Sequence, residues 1–397
     1  MGATSVVKRA TTGTFRTTSV AGESVQAFLP RGLPPQPPLV VDGRLHTLLE
    51  AATLAIGRLD GVTTLLPDKA LFLYAFVRKE ALASSQIEGT QSSLSDLLLF
   101  EADEMPGVPR DDVQEVSSYV AALDHGVSRL RGGLPLSGRL IREVHDVLLR
   151  SGRGKDREPG SFRRSQNWIG GSRPGNAHVV PPPHADVAEA MAQLETFLNA
   201  RDDGLPLLVR VALAHVQFET IHPFLDGNGR VGRLLITLLL CDAGVLREPL
   251  LYLSLYLKRN RARYDELLDL VRAEGDWEAW LEFFANGVVE AAQGAVDTAV
   301  RLSELFASDR TRIEGATGRR AGSVLRVHAA LKARPLRSIT DIAATTGLSY
   351  PGAAAAVDAL VELGIAREFT GRLRDRLFVY ERYVAILGEG TEGGPDR

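Results

Sequence analysis

A single cysteine, Cys241, stands among the 397 residues. One thiol excludes an internal disulfide and a cysteine-ligated metal cluster, and it suits a reducing compartment. Charge of one sign is also missing: 46 Lys and Arg stand against 49 Asp and Glu, a formal net charge of −3. That balance gives no global pull toward nucleic acid or anionic membrane, so any such contact needs a local patch. Long apolar runs are absent as well, because the longest, around Leu234 to Leu240, is too short to span a bilayer. The early basic pair Lys8 and Arg9 is not followed by an apolar stretch with a cleavage site, so no secretory signal is expected. The expected setting is the cytoplasm, without a membrane partner. The length allows two or three domains of ordinary globular composition.

The most informative stretch is His222-Pro223-Phe224-Leu225-Asp226-Gly227-Asn228-Gly229-Arg230-Val231-Gly232-Arg233, which leads directly into that apolar run. The run predicts a buried helix, so the turn through Gly227, Asn228 and Gly229 should bring backbone N–H groups to a helix N-terminus, where anions bind. Glycine lets such a backbone approach a phosphate closely. A carboxylate beside a phosphate cradle would repel its ligand unless a cation lay between them. Asp226 is therefore a candidate Mg²⁺ ligand, although a lone Asp-Gly would read as a helix cap. Arg230 and Arg233 stand three apart, on one helix face, and can offer guanidinium forks to phosphates. His222, near-neutral in pKa by type, can take a proton from an incoming hydroxyl. His145, His215 and His328 read as structural.

Around this segment the pattern is mainly helical. Residues 1–40 are polar and then proline-rich (Pro30, Pro34, Pro35, Pro37, Pro38), which predicts a flexible arm or one strapped over another surface. Spacings of three and four over 41–110 predict a helical N-terminal module, and 111–300 a helical core. The break at Pro159-Gly160-Ser161-Phe162-Arg163 and Asn167-Trp168-Ile169-Gly170-Gly171 predicts a hairpin inside that core. Residues 301–322 read as a charged linker or helix. Over 323–385, three helical patterns followed by two alternating segments, Ile365 to Phe369 and Leu377 to Tyr380, predict a winged helix-turn-helix. Residues 386–397, glycine-rich and acidic, read as a disordered tail. The recognition helix would run from Tyr350 to Leu363, alanine-rich and acidic at Asp358 and Glu362. Arg367, Arg372, Arg374 and Arg376 would give a basic wing, enough for phosphate contacts but not base readout. DNA and a protein partner both remain open there.

The His222–Arg233 segment resembles the signature of the Fic family at every fixed position, and the likeness extends over roughly Val41 to Asp297. The resemblance implies transfer of AMP from ATP onto a Ser, Thr or Tyr hydroxyl of a target protein. It implies His222 as general base, Asp226 as Mg²⁺ holder, and a nucleotide-binding set of Gly227, Asn228, Gly229, Arg230 and Arg233 with Phe224 as the loop's anchor. Related kinases of the death-on-curing group carry lysine at the position of Gly229, so glycine favours AMP transfer. The segment Phe162, Arg163, Asn167, Trp168 and Ile169 resembles the family's target-docking flap. Ser84-Ser85-Gln86-Ile87-Glu88-Gly89 resembles its inhibitory motif, with Ser84, Glu88 and Gly89 at the matching positions and Glu88 expected to pair with Arg233. Two rival readings are a DNA-binding regulator whose core senses nucleotide, and an enzyme that mainly removes AMP. A homodimer also stays open.

Overall fold

The computed structural model describes residues 9, 11–65, 69–102, 107–200, 204–372 and 374–391. The chain opens with an antiparallel hairpin, β1 (Gly13–Val20) and β2 (Glu23–Pro30), paired from Gly13↔Pro30 to Val20↔Glu23. This differs from the flexible arm expected over 1–40. Val20, Val25 and Ala27 bury one face of the hairpin with Val180, and Phe28 N–H donates to the Val180 carbonyl at 2.8 Å. The proline-rich stretch is strapped down by Arg9, whose guanidinium donates to the Pro37, Pro38 and Gly275 carbonyls and to Glu278.

Among the described residues eleven α-helices follow: α1 (Gly43–Leu65), α2 (Lys69–Ile87), α3 (Leu94–Glu101), α4 (Arg110–Arg131), α5 (Gly138–Leu149), α6 (His184–Asn199), α7 (Leu207–Ile221), α8 (Asn228–Asp242), α9 (Ser254–Arg259), α10 (Arg261–Glu274) and α11 (Trp277–Thr317). The two helices flanking the signature, α7 and α8, are buried nearly all round. A helix without a solvent face belongs at the centre of a fold, and α7 and α8 pack on each other there. Helix α2 is also enclosed, and Lys79, Glu80, Ser84 and Ser85 are as buried as its leucines. Polar groups so placed must be paired or functional. Glu80 meets Ser254 and the Tyr119 hydroxyl, which ties α2 to α9 and α4.

Of the two readings for 301–322, charged linker or helix, the structure shows helix: α11 runs on to Thr317. Its 41 residues span about 60 Å at 1.5 Å per residue. Leu302, Leu305, Asp309 and Ile313 keep a buried stripe at spacings of three and four, so the charges between them occupy the other face. At its far end stand α12 (Ala321–Ala333), β3 (Leu336–Ser338), α13 (Ile339–Thr346), α14 (Tyr350–Glu362), β4 (Arg367–Glu368), β5 (Leu377–Val379) and α15 (Glu381–Gly388). The strands pair antiparallel in the order β3-β5-β4, so the helices and alternating segments expected over 323–385 are present in that order. The expected disordered tail begins too early. Residues 386–388 complete α15 and Thr391 is buried, while 392–397 lie outside the described residues. Among the described residues no helix is long and apolar enough to cross a membrane.

Candidate active site

The signature loop hangs between α7 and α8. His222 ends α7 in the left-handed region (φ 49°), and its N–H closes the helix on the Phe218 carbonyl at 2.9 Å. A non-glycine residue held there is strained and has to be fixed by its surroundings. Here the surroundings fix it. Arg163 Nε donates to the His222 carbonyl at 3.0 Å, and Asn167 Nδ2 reaches the Phe224 carbonyl at 2.9 Å. Asn228 closes the loop on itself: Phe224 N–H donates to its Oδ1 at 2.8 Å, and its Nδ2 donates to the Phe224 carbonyl at 2.9 Å. Phe224 is fully buried, stacked on the His145 ring with centroids 3.7 Å apart and planes within 5°.

His145 is structural, as expected, and its structural task is this loop. Gly160 N–H donates to its Nδ1 at 2.9 Å, so Nε2 carries the proton and donates to the Asp226 carbonyl at 3.1 Å. Burial lowers its pKa to about 4 and keeps it neutral for that role. At His222 the same reasoning fixes the tautomer. Nδ1 lies 3.3 Å from the Glu219 carbonyl, which can only accept, so the proton sits on Nδ1 and Nε2 keeps its lone pair. Desolvation brings the His222 pKa down to about 4, and the imidazole is neutral near pH 7.

Gly227 (φ 75°) turns the chain into α8, whose first N–H groups, from Asn228, Gly229 and Arg230, have no acceptor within the helix by its geometry. Asp226 keeps a side chain 38% exposed, with Oδ1 fixed by Gly227 N–H at 2.6 Å. Among the described residues no three acidic, His or Cys groups gather to cage a metal. A single accessible carboxylate beside an anion cradle instead fits Mg²⁺, which commonly binds one or two carboxylates together with substrate phosphates.

The two arginines part company. Arg230 is buried, 3.1 Å from Glu115 on α4 and 3.6 Å from Asp226 Oδ1, so its guanidinium steadies the carboxylate that flanks the loop. Arg233 is equally buried, and the end of α2 occupies it: Nε donates to Ser84 Oγ at 2.8 Å, and NH2 to the Ser84 carbonyl at 3.1 Å and to Glu88 Oε1 at 2.6 Å. Burial would raise the Glu88 pKa, but the Arg233 charge and hydrogen bond outweigh it and hold the carboxyl below its usual range. Glu88 lies just past the last residue of α2, and Gly89 (φ 98°) takes the backbone through a conformation that L side chains rarely adopt. Gly229 is needed for another reason: a Cβ there would stand 2.4 Å from Glu88 Oε1 and 3.0 Å from Arg233 NH1.

The expected flap is partly corrected. No strand pair forms between Pro159 and Gln166. The pairing is the Ile169↔Val179 bridge, later in the chain. The reason is that Phe162 packs against Phe224 and Arg163 is buried, its guanidinium donating to the His222, Ser165 and Pro182 carbonyls. Phe162, Arg163 and Asn167 therefore brace the signature loop, whereas Trp168 stays exposed and Ile169 lies in the bridge. Glu80 and Glu115 went unnoticed in the sequence, where nothing local distinguishes them, and Glu219 was read only as part of the resemblance beside the signature, without a role. Glu219 is buried against Gly232 with Oε1 unpartnered, and burial raises its pKa to about 7.

Residues 46–128 match the family model described as Fic/DOC family N-terminal, and residues 135–240 the one described as Fic/DOC family. Among curated proteins, "Protein adenylyltransferase Fic" of Drosophila willistoni is 32% identical over 203 residues, 50% of this chain and 38% of that protein. Its Drosophila melanogaster counterpart is 31% identical over 203 residues, again 50% and 38%. The chain thus spans well under half the length of these relatives. Among solved structures, a Fic family protein from Desulfovibrio desulfuricans G20 superposes with a TM-score of 0.58 at 21% identity, covering 87% of this chain and 98% of that one. Fic-1 from C. elegans superposes with a TM-score of 0.52 at 22% identity, covering 66% and 74%. At such identities the likeness is one of fold.

Proposed function

We infer that this chain, which belongs to the Fic/DOC family, is a protein adenylyltransferase that moves AMP from ATP onto a hydroxyl side chain of a target protein. The curated relatives bear that activity in their names, and the arrangement around His222 suits it. A target hydroxyl oxygen forms the new bond to the α-phosphorus as the bond to the bridging α–β oxygen breaks, and pyrophosphate leaves. The hydroxyl proton passes to His222 Nε2, whose lone pair is kept free by the Nδ1 contact to the Glu219 carbonyl. The N–H groups at the start of α8 face the charge that builds on the phosphates. Asp226 would hold Mg²⁺, which when bound offsets phosphate charge.

The observation that supports restraint in cis is the engagement of Arg233 by Ser84 and Glu88. A guanidinium committed to a carboxylate is withheld from a γ-phosphate, and the carboxylate repels that phosphate. Removal of AMP, with Glu88 positioning a water, remains a minor activity of the same reading. Trp168 and the Ile169 backbone are the groups we assign to target docking. On the expected winged helix, α14 exposes Tyr350 at its start and Asp358 and Glu362 further along, a surface that suits a protein partner better than a phosphate backbone.

The test is label transfer from ATP in Glu88→Gly, with Glu88→Gly/His222→Ala beside it and cell lysate as target source. Label on protein from α-labelled but not γ-labelled ATP is expected, and it should fall by about a hundredfold or more without His222. Transfer from γ-labelled ATP would replace this reading with a kinase. Nucleotide binding without any transfer would leave a nucleotide sensor.

A further inference from the structure

The Glu88 end of α2 is gripped from a direction unrelated to the signature loop. Gln86, between Ser84 and Glu88, donates through Nε2 to the Ser92 carbonyl at 2.8 Å and to the Thr391 carbonyl at 2.9 Å, and its Oε1 accepts from Lys258 Nζ at 2.8 Å. Thr391 belongs to the turn after α15, so the C-terminal segment of the expected winged helix bonds directly to the inhibitory motif. Two residues earlier, Glu389 meets Arg301 with both carboxylate oxygens at 2.6 Å. Between them Gly390 (φ 80°) lies against Arg259, where a Cβ would stand 2.2 Å from NH2.

Glu389 stands at the mouth of a cleft of about 240 Å³ between α2, α9 and α11. Inside is Lys79, 4% exposed, with its ammonium 4.8 Å from the centre of the Tyr252 ring. Among the described residues no hydrogen-bond acceptor meets that ammonium. Burial lowers its pKa to about 8, and the Glu389 carboxylate pulls the other way. The hydroxyls of Tyr252 and Thr298 line the same wall. The other acids of the cleft have partners: Glu290 pairs with Arg259 at 3.4 Å, and Asp297 accepts from Gln293 at 2.8 Å. A buried cation without a bonded counter-ion is costly, and a carboxylate relieves that cost.

We propose that the cleft formed by Lys79, Tyr252, Arg259, Thr298 and Arg301 is a binding site for a small carboxylate. In this state Glu389 of the chain itself stands at its mouth on Arg301, and that contact clamps the Glu88 end of α2 through Thr391 and Gln86. The clamp rests on the reading of Glu88 as a restraint. The Glu389–Arg301 pair is half-exposed, which makes it exchangeable. The expected winged helix and the nucleotide site are thereby coupled: whatever draws α15 away loosens Gln86 and favours release of Arg233.

The test uses the full chain as wild type, Glu88→Gly, Glu389→Ala and Glu389→Ala/Lys79→Met. The affinity for α,β-methylene ATP with Mg²⁺ and the melting temperature are read without additive, with millimolar propionate, and with propionamide as the neutral control. Propionate is the analogue of the whole glutamate side chain from Cβ, of which Glu389→Ala removes the CH2–COO⁻ end. Glu389→Ala is expected to bind the nucleotide about threefold more tightly than wild type, the size of one partly exposed ion pair. Propionate should raise the melting temperature of Glu389→Ala and leave its nucleotide affinity unchanged, because free propionate is not joined to Thr391. Propionamide should not raise it, and Lys79→Met should abolish the propionate effect. Wild-type affinity in Glu389→Ala beside tighter binding in Glu88→Gly would overturn the clamp. A propionate effect that survives Lys79→Met, or none at all, would overturn the site. If Glu88→Gly itself binds no more tightly than wild type, the restraint reading falls, and the Lys79-dependent melting shift still decides the site.

Discussion

The loop that carries His222 and the helix end that carries Glu88 meet at Arg233, yet they are held in opposite ways. The loop is fixed from inside: Arg163, Asn167, Asn228 and His145 satisfy its carbonyls, and Phe224 is fully buried beneath it. Glu88, by contrast, reaches Arg233 with one carboxylate oxygen and keeps a side chain 39% exposed. A buried network opens only at large cost, whereas a half-exposed ion pair exchanges for a modest one. The geometry we assign to chemistry is therefore built to persist, and the contact we assign to restraint is built to leave.

The largest expected effects come from breaking the persistent side. Arg163→Ala removes donors from the His222, Ser165 and Pro182 carbonyls at once and leaves the first and last with only the longer bonds from Asn167 at 3.4 Å and Gln166 at 3.3 Å, at about 0.5–1.5 kcal/mol for each lost bond, more for a charged donor. Melting temperature and transfer should both collapse, with the activity measured in a Glu88→Gly background. Arg163→Lys should rescue little, because an ammonium cannot reproduce the fork. If Arg163→Ala transfers normally, the loop does not depend on that brace.

A smaller loss is expected from His145→Ala, which forfeits two hydrogen bonds and the ring stacked on Phe224. Denaturant melts should show about 2–4 kcal/mol less stability, and Mg²⁺-dependent transfer should fall with it because the Asp226 backbone loses its anchor. Stability unchanged from wild type would remove His145 from the account.

Much of this was legible in the sequence. The turn of the signature into a buried helix was legible, because its spacing is local and the helix is announced by its own apolar run. Ser84, Glu88 and Gly89 were legible only as a pattern, and Glu88 indeed meets Arg233 across 145 positions. What sequence could not show was which face of a segment turns inward. Phe162 and Arg163 read as flap residues but brace the loop, since their partners lie about 60 residues downstream. The hairpin of β1 and β2 did leave a trace in the alternation of Val25 and Ala27 after the Ala21-Gly22 turn, outweighed by the polar, proline-rich composition around it.

On the releasable side the effects should be milder. Ser84→Ala strips Arg233 Nε of its hydroxyl partner while leaving Glu88 in place. A rise in basal transfer of about two- to fivefold is expected, the worth of one hydrogen bond. A fall would mean that Ser84 serves the active arrangement.

The smallest expected effect is one of pH. Burial holds His222 at about 4, and the Glu88 carboxylate is one of the groups that raise it, so Glu88→Gly moves it lower still. A depressed pKa keeps the base neutral until the pH falls toward that value. Transfer by Glu88→Gly should therefore show no acid limb from His222 between pH 8 and about 5. A limb near pH 6.5 that disappears with His222→Ala would show a solvated imidazole instead.

The most direct measurement is a titration of α,β-methylene ATP with Mg²⁺ into wild type and Glu88→Gly, with melting curves of both proteins. Glu88→Gly should bind about tenfold more tightly, as expected for freeing one partly exposed charged hydrogen bond, and should melt within a few degrees of wild type. Equal affinities would contradict the claim that Glu88 withholds Arg233 from the nucleotide, and a large loss of melting temperature would show that Glu88 belongs to the persistent scaffold.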